Sequence, residues 1–364
     1  MKTFFIYFPF AIAFFTYLTF VLRCDFKVRG QAIWVMALLL CAGKFMVFDA
    51  LGADAFSPEL PERTIWLLNW LYSGLVVLFA LGLITFFFRF KYKALVLPVI
   101  AWTLAGIGIR EGVREPVVEE VTVEHARIPA ELDGYRIVQI SDLHVSAAAR
   151  KWRTERVVEI ANALKGDLIV VTGDIVDGTP DFLKDDVAPI AGLSAPDGVW
   201  YCTGNHEFYY PWLEWRRWFD LWGLRFLRGE AVSIRPGWAL GGVDDPSVKI
   251  YEPLNIPSAR NLFNSFANGE FRVLLQHRPK ANGTNNVELD FCDLQLCGHT
   301  HGGVAPLLDR LVARFNGGFV RGKYEVAGGV VYVSPGTGQW AGFPVRFFNP
   351  PVVSVITLKH HDGK

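Results

Sequence analysis

Four runs within the first 110 residues, at 4–22, 32–48, 65–88 and 92–109, consist almost wholly of Leu, Ile, Val, Phe, Trp and small residues. A helix needs roughly 17–25 apolar residues to cross a bilayer. The first and third runs meet that length comfortably. The second, with Lys44, and the fourth, with Pro98, sit near the short limit. Soluble helices would show a polar face, which these lack, and Pro9 and Pro98 are tolerable inside a membrane helix. The expectation is an all-α, four-helix transmembrane domain over residues 1–110. The first run has no small-residue cleavage site, and Arg23 spoils a lipoprotein box at Cys24, so it reads as a retained span. Basic residues favour cytoplasmic loops. Arg23, Lys27 and Arg29 follow the first run and Arg89, Lys91 and Lys93 the third, whereas Arg63 stands between the second and third. Four spans then make a multi-pass protein of the cell (inner) membrane, with its C-terminal domain extracytoplasmic.

Outside these runs the composition is that of an ordinary globular domain. Equal numbers of Lys+Arg and Asp+Glu, 36 each, leave no net charge and no basic footprint for nucleic acid. Five cysteines without C-x-x-C spacing argue against a disulfide framework. Residues 111–134 form a charged connector with Pro116 and Pro129, including an alternating entry strand over 117–128. From 135 to 364 the pattern becomes α/β. Strand-like runs at 135–141, 167–172 and 199–203 alternate with helix-like sequence at 151–164 and 180–193. Beyond residue 224 short strands dominate, at 231–235, 238–242, 271–276, 293–297, 329–334 and 352–358.

Polar residues of metal-ligand type follow the buried runs: Asp142 and His144, Asp174, Asn205, His277, and His299 with His301. The spacing of Asp142, Asp174 and Asn205 suits strand–helix–strand units returning to one edge of a parallel sheet, where ligands bind at the carboxyl ends. Residues i and i+2 of an extended strand project to the same side, so His299 and His301 are expected to face one centre. Nitrogen and oxygen donors without thiolate suit Mn, Fe or Zn in a reactive site.

The series D-x-H (142–144), G-D-x-x-D (173–177), G-N-H-E (204–207), a lone His277 and G-H-x-H (298–301) resembles the calcineurin-like metallophosphoesterases, over about residues 135–358. The tail from Tyr332 to Arg346, with Pro350 and Pro351, resembles the membrane-attached bacterial branch, which includes enzymes acting on UDP-diacylglucosamine. The resemblance implies two packed mixed β-sheets flanked by helices, and metal-dependent hydrolysis of a phosphomonoester, phosphodiester or pyrophosphate. It also implies two divalent ions, with Asp142, His144 and His301 on the first, Asn205, His277 and His299 on the second, and Asp174 bridging. His206 would protonate the leaving group or stabilise the transition state, and Asp177 could orient it. Asp244 and Asp245 read as turn residues, and Glu207 has no assigned role.

Residues 212–222 place Trp212, Trp215, Trp218, Phe219 and Trp222 on one helical stripe, with Arg216 and Arg217 beside it. Such a stripe either packs on the sheet or lies at headgroup depth against lipid. The partners expected are therefore the lipid bilayer and an amphiphilic phosphorylated substrate. The competing reading is a non-enzymatic metal-binding sensor or scaffold in the membrane.

Overall fold

A computed structural model describes residues 2–51, 58–254, 258–259, 261–267, 269–279, 291–305 and 308–361, with side chains from Tyr7 onward. The chain divides into two units, one of residues 1–112 plus 341–346 and one of residues 113–340 plus 347–364.

The first unit is helical: α1 (Lys2–Thr19), α2 (Val28–Ala42), α3 (Lys44–Ala50), α4 (Glu62–Ile84) and α5 (Lys93–Val113, whose last residue falls in the second unit). Of these, α4 and α5 are long and apolar enough to cross a membrane, and a third crossing arises if α2 and α3, bent by 56°, count as one. Among the described residues the first apolar helix, Tyr7–Arg23, falls short of that length. Where four spans are expected from sequence, two helices, or three with the bent pair, thus meet the length and hydropathy of a crossing among the described residues. The bend falls at Gly43, where Lys44 begins α3 fully buried. A buried ammonium needs acceptors, and Lys44 Nζ donates to Asn69 Oδ1 at 2.5 Å and to the Gly342 carbonyl at 2.6 Å. Gly342 belongs to the 341–346 segment, which also packs Phe343 against Tyr72 and donates the Arg346 amide to the Gly108 carbonyl.

Among the described residues the second unit holds twelve strands. They are β1 (Val117–His125), β2 (Arg136–Ile140), β3 (Leu168–Thr172), β4 (Val199–Cys202), β5 (Arg225–Phe226) and β6 (Glu230–Arg235), then β7 (Trp238–Gly242), β8 (Phe271–Leu275), β9 (Leu294–Cys297), β10 (Gly322–Val326), β11 (Gly329–Val333) and β12 (Val352–His360). One six-stranded sheet runs β1-β12-β2-β3-β4-β5 and the other β10-β11-β9-β8-β7-β6. The first is parallel through β2-β3-β4-β5 and in β1-β12, with β12-β2 antiparallel, and the second is parallel through β7-β8-β9-β11 with an antiparallel pair at each edge. Continuous apolar runs such as residues 168–171 of β3 are what strands covered on both faces require. Between the sheets Ile137, Val170, Trp238, Val273, Leu296, Tyr332 and Ile356 form one core. The helices α6 (Lys151–Ala163), α7 (Pro180–Val187) and α8 (Trp212–Leu221) follow strands of the first sheet, and α9 (Leu308–Phe315) follows β9.

The inner side of the aromatic stripe, on α8, is core, while Trp218 and Trp222 are half-buried. Trp212, Trp215 and Phe219 are buried, and the Trp215 indole donates to the Gly178 carbonyl at 2.8 Å.

Candidate metal centre

The carboxyl ends of parallel strands from both sheets deliver the polar residues to one place. β2 leads into Asp142 and His144, β3 into Asp174 and Asp177, and β4 into Asn205 and His206. From the other sheet β8 leads into His277, and β9 into His299 and His301. Asp142, His144 and His301 form one group of converging donors, and Asp174, His277 and His299 a second. The side chains lie where the sheets end, so Asp142, His144, Asp174, Asn205, His206 and His277 are all buried.

Asp174 stands between the groups. Its Oδ2 is 3.1 Å from His277 Nε2 in one and 3.8 Å from His144 Nε2 in the other, while Oδ1 accepts the His206 amide at 2.8 Å. Within the groups His144 Nε2 faces His301 Nε2 at 3.1 Å, and His277 Nε2 faces His299 Nδ1 at 3.2 Å. Outer partners set the ring orientations. His277 Nδ1 donates to the Thr172 carbonyl at 2.7 Å and His144 Nδ1 contacts Asp177 Oδ1 at 3.0 Å, leaving each Nε2 aimed inward.

The expectation that His299 and His301 face one centre is corrected. Neither continues the strand: their φ values are 72° and 47°, and His301 opens a short 3-10 turn. These two left-handed residues, with Thr300 at φ −85° between them, send the two imidazoles to different groups. Asp142, His144 and Asp174 also hold positive φ, at 52°, 49° and 54°. Such backbone costs energy for non-glycine residues and collects at functional sites. Gly204 and Gly298 make room: a Cβ on Gly204 would strike the Asp174 carboxylate, and one on Gly298 would strike Ser141 and Asp142.

Burial and mutual charge shape the protonation of the cluster. Burial pushes the Asp142 carboxyl up. It opposes ionisation of Asp174 too, but His277, His206 and His144 outweigh it and hold Asp174 well below the usual carboxylate range. Burial disfavours charge on His206, yet Asp177, bonded at 2.6 Å, and Asp174 push its pKa up to about 9. Burial disfavours charge on His277 as well, but Asp174, Asp142 and Asp245 together outweigh it and raise its pKa to about 10. Burial, helped by the charges of His277 and Arg278, drives His299 the other way. Asp177 is buried and lowered: burial opposes its charge, and contacts to His144 and His206 overcome it.

Several supporting residues escaped the sequence reading. Glu207 is fully buried and accepts from the amides of Asp174 at 2.9 Å, Ile175 at 2.5 Å and Gly204 at 2.6 Å, fixing the loops that carry Asp174 and Asn205. Asp244 and Asp245 are buried anchors as well as turn residues. Asp244 pairs with Arg228, and Asp245 takes Arg278 through Nε at 2.6 Å and Nη2 at 3.0 Å. A strand end followed by two acids was the available signal, but the arginine partner 33 residues on was not.

The donor set suits hard or borderline cations: carboxylates, imidazoles and an amide, with no sulfur. Asn205 Oδ1 is buried without a hydrogen-bond partner, the kind of oxygen a cation would satisfy. His206 borders the cluster, its ring 4.6 Å from that of His144, 5.2 Å from Tyr209 and 6.4 Å from Trp340.

The family model for calcineurin-like phosphoesterases matches residues 135–303. An uncharacterized metallophosphoesterase of Aquifex aeolicus is 32% identical over 66% of this chain and 91% of its own length. Metallophosphoesterase YkuE of Bacillus subtilis is 31% identical over 66% of this chain and 84% of its own. A transmembrane protein with metallophosphoesterase domain from Danio rerio is 29% identical over 72% of this chain and 61% of its own. With the two sheets, the ordered motifs and these relatives together, the chain belongs to the calcineurin-like metallophosphoesterases, metal-dependent hydrolases of phosphoric esters.

Proposed function

We propose that this protein is an integral membrane phosphoesterase that uses two divalent ions, Mn, Fe or Zn, to hydrolyse a phosphomonoester, phosphodiester or pyrophosphate bond of a lipid-linked substrate. The observation that carries the hydrolytic reading is the position of Asp174 Oδ2 within 3.1 Å of one donor group and 3.8 Å of the other. Asp142, His144 and His301 would hold one ion and Asn205, His277 and His299 the other, with Asp174 available to both. When bound, such a pair lowers the pKa of a shared water and neutralises phosphoryl oxygens. His206, kept charged by Asp177, gives its proton to the leaving oxygen.

Arg278 supplies a further donor. Its Nε and Nη2 are fixed by Asp245, and Nη1 has no partner among the described residues. A charge-assisted hydrogen bond contributes roughly 1.5–3 kcal/mol. Arg278→Ala is therefore expected to lower kcat/KM about 10–100-fold with metal content unchanged, as metal analysis beside steady-state kinetics would read. An unaltered kcat/KM would remove Arg278 from the site.

Two to three apolar helices and the transmembrane designation of the Danio rerio relative support a membrane setting, and the loop charges support an outward-facing catalytic unit. Sealed vesicles test both halves of the reading. Right-side-out vesicles should hydrolyse an impermeant aryl phosphate, lose that activity to a chelator and regain it with Mn. Sealed inverted vesicles should not hydrolyse it. In detergent, polyprenyl phosphates or nucleotide-linked lipids should outcompete soluble nucleotides. Activity that survives chelation would end the metal mechanism, activity in the inverted vesicles would reverse the orientation, and a preference for nucleotides would end the lipid assignment.

A further inference from the structure

The loop His301–Val304 carries more than a proposed ligand. α9 seats its Asp309 side on Gly303, where a Cβ on the glycine would press into Asp309 at 2.8 Å. That seating leaves the opposite ridge open: Leu308, Leu311 and Phe315 are 45%, 54% and 69% exposed. At 100° per residue, with Val312, they fall within about 100° of arc, and Asp309, Arg310 and Arg314 occupy the remainder.

A second apolar group hangs from the same loop. Phe347 donates its amide to the Val304 carbonyl at 2.9 Å, and Asn349 Nδ2 donates to the His301 carbonyl at 2.6 Å. Between these two clamps Phe348 is forced into φ 56° and is 87% exposed. A non-glycine residue strained in order to present a phenyl ring to solvent requires an explanation that packing within this unit does not give.

We propose that α9 and Phe348 form a bilayer-docking ridge beside the metal cluster, with Leu308, Leu311, Phe315 and Phe348 entering the acyl boundary and Arg310 and Arg314 meeting headgroup phosphates. The occupant is an anionic lipid surface for two reasons. Two arginines against one aspartate make the flank of α9 positive, matching anionic lipid. The chain is also continuous with the apolar helices of the other unit, so a bilayer surface is tethered to this unit at high effective concentration. The inference rests on the membrane part of the function proposed above and not on the hydrolytic part.

The test uses the full chain in nanodiscs containing phosphatidylglycerol, with the half-buried Cys24 replaced by serine; the other four cysteines are buried. An environment-sensitive fluorophore is placed on Leu311→Cys, and on Glu155→Cys of α6 as a reference. Brominated acyl chains should quench the probe at 311 several-fold more than at 155. Adding Phe348→Ser, Arg310→Glu and Arg314→Glu, all at exposed positions, should at least halve that quenching. Equal quenching at the two sites, indifference to the three substitutions, or a probe shielded from water yet untouched by bromine would each overturn the proposal. The last outcome would mark a protein partner instead. Quenching needs no turnover, so a failed hydrolase reading would show separately, as absent phosphate release with quenching intact.

Discussion

Asp174→Ala should leave the purified protein with well under half of its normal metal and no detectable phosphoester turnover. The expectation follows from position. One oxygen of Asp174 serves both donor groups, at 3.1 Å from His277 Nε2 and 3.8 Å from His144 Nε2. Each group would then keep mainly imidazoles, and the negative charge that offsets two dications would be lost from the middle of the site. The other oxygen accepts the His206 amide at 2.8 Å, so the loop bearing Asn205 and His206 would loosen as well. Asp174→Asn separates these effects. It preserves an acceptor for the amide but not the charge, and should still lose metal. Metal analysis beside kinetics decides it, with circular dichroism to exclude unfolding. Full occupancy with full activity would sink the two-ion assignment.

His206→Ala should behave in the opposite way, holding its metal while losing roughly 10²–10⁴ in kcat, the usual range for a general acid. The loss should shrink for aryl phosphates whose phenolate leaves without a proton. That dependence on leaving group separates proton donation from simple positioning. Asp177 complicates the picture, because one of its oxygens contacts both His206 Nδ1 at 2.6 Å and His144 Nδ1 at 3.0 Å. Asp177→Asn should therefore impair catalysis and weaken the ion held by His144 together. If His206→Ala instead releases metal, His206 is a ligand.

The positions that converge were legible because each follows a strand, and parallel strands in both sheets end on the same side. The two-sheet architecture came from the resemblance of the ordered motifs to a known family; periodicity by itself showed strands alternating with helices and then a run of short strands. Which imidazole joins which group came from the family resemblance, which assigned His301 and His299 as the structure places them, and not from any periodicity. That choice depends on φ at His299 and His301, 72° and 47°, which no hydrophobic pattern encodes. Nor could sequence pair Asp245 with Arg278, since the ion pair depends on where two separate strands end. α9 escaped because eight residues make barely two turns, and its apolar side faces outward, where a core pattern gives no cue. The α8 stripe carried the reverse ambiguity, since core and lipid select the same aromatic residues. The bend at Gly43 was hidden inside the second apolar run, and one of the two acceptors of the neighbouring Lys44 ammonium lies almost 300 residues away.

That last distance has a bearing on biosynthesis. The helical unit takes residues 341–346 into itself, and the Gly342 carbonyl joins Asn69 in accepting from the Lys44 ammonium. A ribosome working from the N-terminus releases residues 113–340 before it supplies that carbonyl. Through that interval the nascent bundle carries an ammonium with Asn69 as its partner and an aromatic nest of Phe45, Phe48 and Tyr72 lacking Phe343. The bundle is therefore finished late, by a strap threaded in from near the other end of the chain. A fragment ending at residue 112 would lack the piece that completes it, so these two units are separable as compact bodies but not as independently made parts.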